Sequence, residues 1–338
     1  MNELTTTTKN EITSAATMAL AGHAANRAAA ANVFADYISR KAANTIKAQA
    51  FDLAVFAQFL GNVGIVVDDL QSNPDSWEGM TWGIVEAFVK WQLQDGYTTA
   101  SINRRLSTVK TYAKLAAKAG VLSAEALALI KTVSGYGQKE AKRVNEKRPT
   151  TSKGTKKAAA VVIDDSIAAQ LKAQPGSPQG RRDALLMALL LDHGLRAGEV
   201  AALQVNNFDL KAGTMVFDRP KVGKVQTHKL SADTLRAVRA WFDSGDCPAL
   251  GPILRGSRKG GHLTGSGMST TAISERVRSL GAELDIDGLS AHDCRHHWAT
   301  RWAGKVDVFR LQEAGGWNSL AMPRRYVEHA KIANDGMV

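Results

Sequence analysis

The residues best equipped for chemistry lie in the second half of the chain. In Gly194-Leu-Arg-Ala-Gly-Glu199 a guanidinium and a carboxylate stand three positions apart at a helix junction, a spacing that makes them neighbours on a helix. Taken alone, the pair Arg196 and Glu199 reads as an ordinary surface ion pair. In Leu289-Ser-Ala-His-Asp-Cys-Arg-His-His-Trp298, Ser290 followed by Asp293 forms an approximate capping box, which starts a helix. His292 and Arg295 then share a face of its first turn, beside unpaired backbone N–H groups, and that combination builds a phosphate site. A metal reading competes, because His292 and His296 are spaced as in the zinc-protease pattern His-Glu-x-x-His. Asp293 replaces the glutamate of that pattern, and the charge of Arg295 lies between the imidazoles where it repels a metal, so a zinc hydrolase is the weaker alternative. Gly315-Gly-Trp-Asn318 and Arg324-Arg-Tyr-Val-Glu-His329 add an indole, Trp317, and a phenol, Tyr326. Asp218-Arg-Pro-Lys-Val-Gly-Lys224 reads as a hairpin with Lys221 and Lys224 near its tip, where solvent exposure is the default expectation.

The elements that must hold these groups follow from the pattern around them. Asp164 and Asp165 open a helix to about Ala173, and Arg181–Asp192 is a strongly apolar one. Thr214–Asp218 and Val225–Leu230 read as short strands flanking the lysine hairpin, and Ser231, Thr270 and Ser290 precede further helices. This half is expected to be a helical domain carrying one small sheet. Upstream, apolar residues recur at helical spacing from Val33 to Leu60, Thr81 can cap Trp82–Leu93, Thr98 or Thr99 can cap a helix to Ala119, and Ser123 can cap Ala124–Thr132. That unit is expected to be all helical. In its third helix Asn103, Arg104, Arg105, Thr108 and Lys110 make a polar, cationic side; such a side is ordinarily solvated, yet Asn and Arg can read base edges.

Charge marks the division between the halves. The chain of 338 residues carries 43 Lys+Arg against 32 Asp+Glu, a net charge of +11. The excess is concentrated between Lys131 and Lys157, where nine basic residues meet two acids. Its end, Arg148-Pro-Thr-Thr-Ser-Lys-Gly-Thr-Lys-Lys157, is expected to be an extended linker. A solvated hinge accounts for it, and so does a basic strap on a nucleic-acid duplex, with Lys142, Arg143, Lys147 and Arg148 neutralising phosphates. The expected division is a flexible tail over 1–31, a helical domain over 32–140, a basic linker over 141–160 and a second domain over 161–338. Two cysteines, Cys247 and Cys294, cannot build a disulfide scaffold. No apolar run reaches the length of a membrane span, and the first 31 residues lack the charged start and apolar block of a signal segment. The expectation is a soluble cytoplasmic protein associated with DNA rather than with a membrane.

In chain order the second half therefore offers Gly-Leu-Arg196-x-x-Glu199, a hairpin lysine, His292-x-x-Arg295-His296, Gly-Gly-Trp317 and Tyr326 nine residues beyond it. That ordered set resembles the catalytic domain of the tyrosine recombinase, or phage integrase, family, which includes Xer-like and Cre-like site-specific recombinases. The helical first half is similar to the family's core-binding domain. The resemblance implies a fold that is mainly α with a small β-sheet: a helical core-binding domain that binds DNA, followed by an α+β catalytic domain. It implies an enzyme that cleaves and rejoins DNA through a covalent 3′-phosphotyrosine, with no cofactor, metal or ATP. Tyr326 is the nucleophile, Arg196 and Arg295 grip the phosphate, and Lys221 (or Lys224 in its place) protonates the leaving oxygen. His292 activates the tyrosine or holds the phosphate, Glu199 orients the site, and Trp317 donates a hydrogen bond. The partner is double-stranded DNA bearing a specific recombination site, bound by a homotetramer on synapsed DNA, with accessory DNA-bending proteins as possible additions.

Two departures from the family pattern stand out. Met322-Pro323 replaces the usual Thr-Thr before the tyrosine, and only twelve residues follow Tyr326, so a tail docking on a neighbouring protomer is expected to be short. Two other readings remain at this stage: a DNA-binding regulator of the same fold without turnover, and a type IB topoisomerase that relaxes DNA with the same groups.

Overall fold

The computed structural model describes residues 3–147 and 161–330. The chain divides into two compact units, Met1–Lys156 and Lys157–Val338. No helix among the described residues is long and apolar enough to cross a membrane.

The first unit is helical throughout: α1 (Glu3–Ser39), α2 (Ala43–Asn62), α3 (Trp82–Gln94), α4 (Thr99–Lys118), α5 (Ala124–Thr132) and α6 (Gln138–Glu146). Thr81, Thr98 and Ser123 each accept a backbone N–H in the first turn of α3, α4 and α5, which fixes where those helices begin. The core is aromatic, with Phe56 against Phe88 at 4.8 Å between ring centroids, Trp77 stacked on Tyr112, and the Trp77 indole N–H donating to the Leu70 carbonyl. Residues 3–31 of the expected tail belong to α1, and residues 1–2 lie outside the described residues. The alanines of this stretch have the highest helix propensity, and the helix is anchored further along by the buried Phe34. Residues 141–146 of the expected linker belong to α6, while residues 148–160, including Arg148, lie outside the described residues.

The cationic side expected on α4 is not a solvent-facing stripe, and Arg105 in particular is a correction. Asp52 of α2 is 1% exposed, and a buried carboxylate draws in its counterions. Arg105 is buried with it, donates to Gln92 Oε1 at 3.1 Å and lies 4.1 Å over the Tyr97 ring. Thr108 donates to Asp52 and Arg104 pairs with it at 2.8 Å, so of the groups gathered on Asp52 the half-exposed Arg104 keeps a face to water. Asn103 is bonded through both ends of its amide to the backbone of Tyr136, and the Lys110 ammonium donates to the carbonyls of Lys131 and Val133. These side chains fasten the segment after α5 to α4.

The second unit is built around α8 (Pro178–His193), most of whose side chains are buried and against which α7 (Asp165–Lys172), α10 (Ala232–Asp243) and α12 (Ala291–Ala303) pack. After α8 come α9 (Ala197–Ala202) and an antiparallel sheet in the order β1 (Phe208–Asp209), β2 (Thr214–Arg219), β3 (Lys224–Lys229). A second pair, β4 (Arg255–Ser257) and β5 (Leu263–Gly267), precedes α11 (Thr270–Ala282) and goes beyond the single sheet that the sequence pattern predicts, because its short Gly- and Ser-rich strands carry little strand propensity. The last elements are α13 (Val308–Gly315) and α14 (Ala321–Ala330). The mainly α fold with small antiparallel sheets agrees with expectation.

Candidate active site

Each functional side chain is placed by an element end. Gly194 closes α8 in the left-handed conformation, φ 60°, and turns the chain so that Arg196 caps α9. Glu199 reaches back from the first turn of α9, accepting the Arg196 backbone N–H at 2.8 Å and its guanidinium at 2.6 Å. The pair is no surface ion pair, since the Glu199 side chain is 4% exposed.

The expected capping box of α12 is present: Ser290 accepts the Asp293 N–H, and the Asp293 carboxylate accepts the Ser290 N–H and hydroxyl. It aims Arg295 inward, where it is 3% exposed and donates to the carbonyls of Gly194 at 2.5 Å and Gly315 at 2.6 Å. The other oxygen of Asp293 accepts the Val161 N–H, and the His297 ring meets the Ile163 carbonyl, so α12 also holds the first described residues of the unit.

Gly316 ends α13 in the left-handed conformation and sets Trp317 against Trp298, Arg295 and Tyr326. The guanidinium of Arg295 lies 4.6 Å over the Trp317 ring, and the Tyr326 ring is 5.9 Å from Trp317. On its other side Tyr326 meets the edge of His296 at 5.2 Å, and His296 in turn meets His292 at 5.0 Å. Pro323 lies in the first turn of α14, as its lack of an N–H favours. Arg196, Glu199, His292, Arg295, Trp317 and Tyr326, distant in sequence, thus converge in one cluster. Lys221 stands exposed in the turn between β2 and β3, and Lys224 is bound to Glu313 at 3.0 Å.

Two participants go beyond the sequence motifs. Arg219, at the end of β2, is fully buried and donates to Glu199 at 3.1 Å, to the Gly315 carbonyl at 3.0 Å and to the Ala314 carbonyl at 3.0 Å. The alternation of β2, with Met215, Phe217 and Arg219 all facing inward, is the signal for it in the sequence. His296, present in the ordered motif but given no role there beyond the competing metal reading, is the ring that links His292 to Tyr326.

Arg196 and Arg219 share one carboxylate, Glu199, and the third guanidinium, Arg295, is bonded only to carbonyls, so positive charge is in excess in a largely buried place. Burial, reinforced by the other two arginines, pushes Arg295 down to about 9, and burial likewise lowers Arg219. An anion relieves that repulsion, and a guanidinium has five N–H donors, of which Arg295 uses only part on its two carbonyls. Burial, helped by His296 and Arg295, lowers His292 below the usual imidazole range, leaving it neutral at pH 7 and able to accept a proton. Burial raises the Tyr326 phenol, with Arg295 opposing.

Comparison with known proteins agrees with this geometry. The model of the phage integrase family matches residues 162–332. A tyrosine recombinase XerC of Mycobacterium leprae (strain TN) is 24% identical over 279 residues, covering 80% of this chain and 87% of the relative. A XerC of Mycobacterium sp. (strain KMS) is 26% identical over 265 residues, covering 75% and 80%. Among solved structures, the Tn1549 transposon integrase in complex with circular intermediate DNA superposes with a TM-score of 0.62 at 15% identity, over 91% of this chain and 99% of that one. A lambda integrase dimer bound to a COC′ core site gives a TM-score of 0.59 at 14% identity, over 87% and 92%.

Proposed function

The chain belongs to the phage integrase family, and from that premise we propose that it is a site-specific DNA recombinase that cuts and rejoins strands through a 3′-phosphotyrosine at Tyr326. The observation that carries the reading is the convergence of Tyr326, Trp317 and Arg295 beside the Arg196–Glu199 pair, with positive charge in excess. Arg196 and Arg295 hold the non-bridging oxygens of the scissile phosphate, where charge builds during transfer. The Tyr326 oxygen attacks phosphorus in line, forming the P–O bond to tyrosine as the bond to the 5′-oxygen breaks. The phenol proton passes to neutral His292, and the leaving 5′-oxygen takes a proton from Lys221 at the hairpin tip, with Lys224 as the alternative donor. Trp317 contributes an indole N–H donor to the phosphate. Attack of another strand's 5′-hydroxyl on the phosphotyrosine reverses the step, so ligation needs no nucleotide.

Double-stranded DNA with a recombination site is the substrate, held as well by the first unit acting as a core-binding domain through Arg104, Lys142, Arg143 and Lys147. Exchange between two sites requires four active sites, hence a homotetramer on synapsed DNA, with DNA-bending proteins as possible accessories. The two solved relatives above, both complexes with DNA, support this partner. The test is to trap the protein in EDTA on a nicked duplex carrying its site, digest, and look for a nucleotide-modified tyrosine by mass spectrometry. The expected adduct is on Tyr326, and Tyr326→Phe binds the same DNA without forming it. No adduct on a demonstrably bound duplex overturns the reading in favour of a DNA-binding regulator of the same fold.

A further inference from the structure

Arg219 makes bonds that serve both halves of the cluster. Its Nη1 donates to Glu199, which holds Arg196, and to the Gly315 carbonyl; its Nη2 donates to the Ala314 carbonyl. Gly315 is also where Arg295 ends, and the other bond of Arg295 returns to Gly194, two residues before Arg196. The result is a closed circuit: Arg196, Glu199, Arg219, the Gly315 carbonyl, Arg295, the Gly194 carbonyl and back to Arg196. The fit is also steric, since a Cβ built on Gly316 would collide with Arg219 Cδ. Arg219 further stands at the root of the hairpin, paired in register with Lys224 and two residues before Lys221. Lys224 and Gln226 bond Glu313 of α13 on the same side.

Stability alone does not account for a charge in this place. Arg219 is fully buried, its Nε has no hydrogen-bond partner, and its one carboxylate is already paired with Arg196. An apolar chain of similar length fills such a space at lower desolvation cost. What only a guanidinium does here is span a carboxylate and two successive carbonyls with one rigid plane.

Resting on the recombinase reading, we propose that Arg219 is a positioning residue of DNA cleavage: it sets the distance between the phosphate-gripping Arg196 and the Trp317–Tyr326 side, and it anchors the hairpin that carries Lys221. Arg219 touches neither DNA nor the reacting atoms. It acts through Glu199 and through the turn at Gly315.

The experiment compares wild type, Arg219→Met, Arg219→Lys and, as a core truncation away from the site, Val238→Ala. Single-turnover cleavage of a saturating nicked duplex, the DNA Kd, the melting temperature and hydrogen exchange over residues 312–318 are measured for each. Arg219→Met is expected to cleave ~100-fold more slowly, the cost of a misplacement of about an ångström, with Kd unchanged and faster exchange at Gly315–Trp317. Arg219→Lys, which keeps the charge and a donor, recovers part of the rate and provides the decisive comparison if the methionine variant does not fold. Wild-type cleavage by a folded Arg219 variant overturns the proposal, as does an equal loss in Val238→Ala at matched melting temperature. The exchange measurement involves no cleavage: unchanged exchange over 312–318 also overturns the anchoring, whereas absence of an adduct in the wild type with accelerated exchange in the variants faults the recombinase reading instead.

Discussion

Both units bury an arginine beside a carboxylate, and the two sites are built to opposite ends. In the first unit Asp52 is served by Arg105, Arg104 and Thr108, and the one surplus charge, on Arg104, keeps a face in water at 48% exposure. Arg105 rests on Gln92 and the Tyr97 ring. Charge is balanced where it is buried, so this network serves packing. In the second unit Glu199 is shared by Arg196 and Arg219, and Arg295 has only carbonyls and an indole face for company. Charge is left uncompensated where it is buried. A buried guanidinium therefore says little about function by itself; the local sum of charge separates a structural clasp from an anion site.

The largest expected effect is on catalysis: Arg295→Lys loses the planar fork and lowers single-turnover cleavage about 10²–10³-fold, with a smaller change in folding stability than the next variant. Equal cleavage by Arg295→Lys would erase the distinction. Arg105→Met strips Asp52 of its buried partner and costs about 3 kcal/mol in urea unfolding of the first unit, while cleavage per folded molecule stays at the wild-type level. A third test uses pH. Burial holds His193 at about 3 and His228 at about 4, far below the unfolded imidazole. Between those values and about 6.5 the unfolded chain binds more protons, so the stability of the second unit is full above that window and falls as pH drops through it. Melting curves from pH 7 to pH 4 check this; His193→Gln flattens the fall. The smallest effect is on binding: removing the charges of Lys142, Arg143 and Lys147 shallows the slope of log K against log salt by roughly 0.9 for each phosphate no longer neutralised, leaving the cleavage rate of bound DNA unchanged.

Legibility in the sequence follows how local each signal is. Ser123, Asp164 and Ser290 announce helix starts because a cap depends on the few residues after it, and all three accept the N–H bonds that their positions imply. The ordered set from Arg196 to Tyr326 is readable because its residue types and order carry the chemistry, although their convergence is a property of the fold. Arg105 is illegible and Arg219 only faintly marked, by the inward alternation of β2, for one reason: polarity puts arginine outside, and only a partner from another element, Asp52 or Glu199, brings it in. The β4–β5 pair escapes, although it is a local hairpin, because its short Gly- and Ser-rich strands favour turns. Residues 3–31 are the opposite case, an alanine-rich stretch without amphipathic pattern in which intrinsic propensity suffices for a helix.

The backbone corners around the cluster limit how the enzyme can be re-engineered. A methyl group at Gly194 would run into the Trp298 ring, and one at Gly315 into the Trp317 ring. Both aromatic planes are seated directly on bare backbone. A mutational library that seeks a new DNA target should leave Gly194 and Gly315 untouched and place its diversity on exposed positions such as Val216 and Val225 of the hairpin strands, where the fold tolerates it.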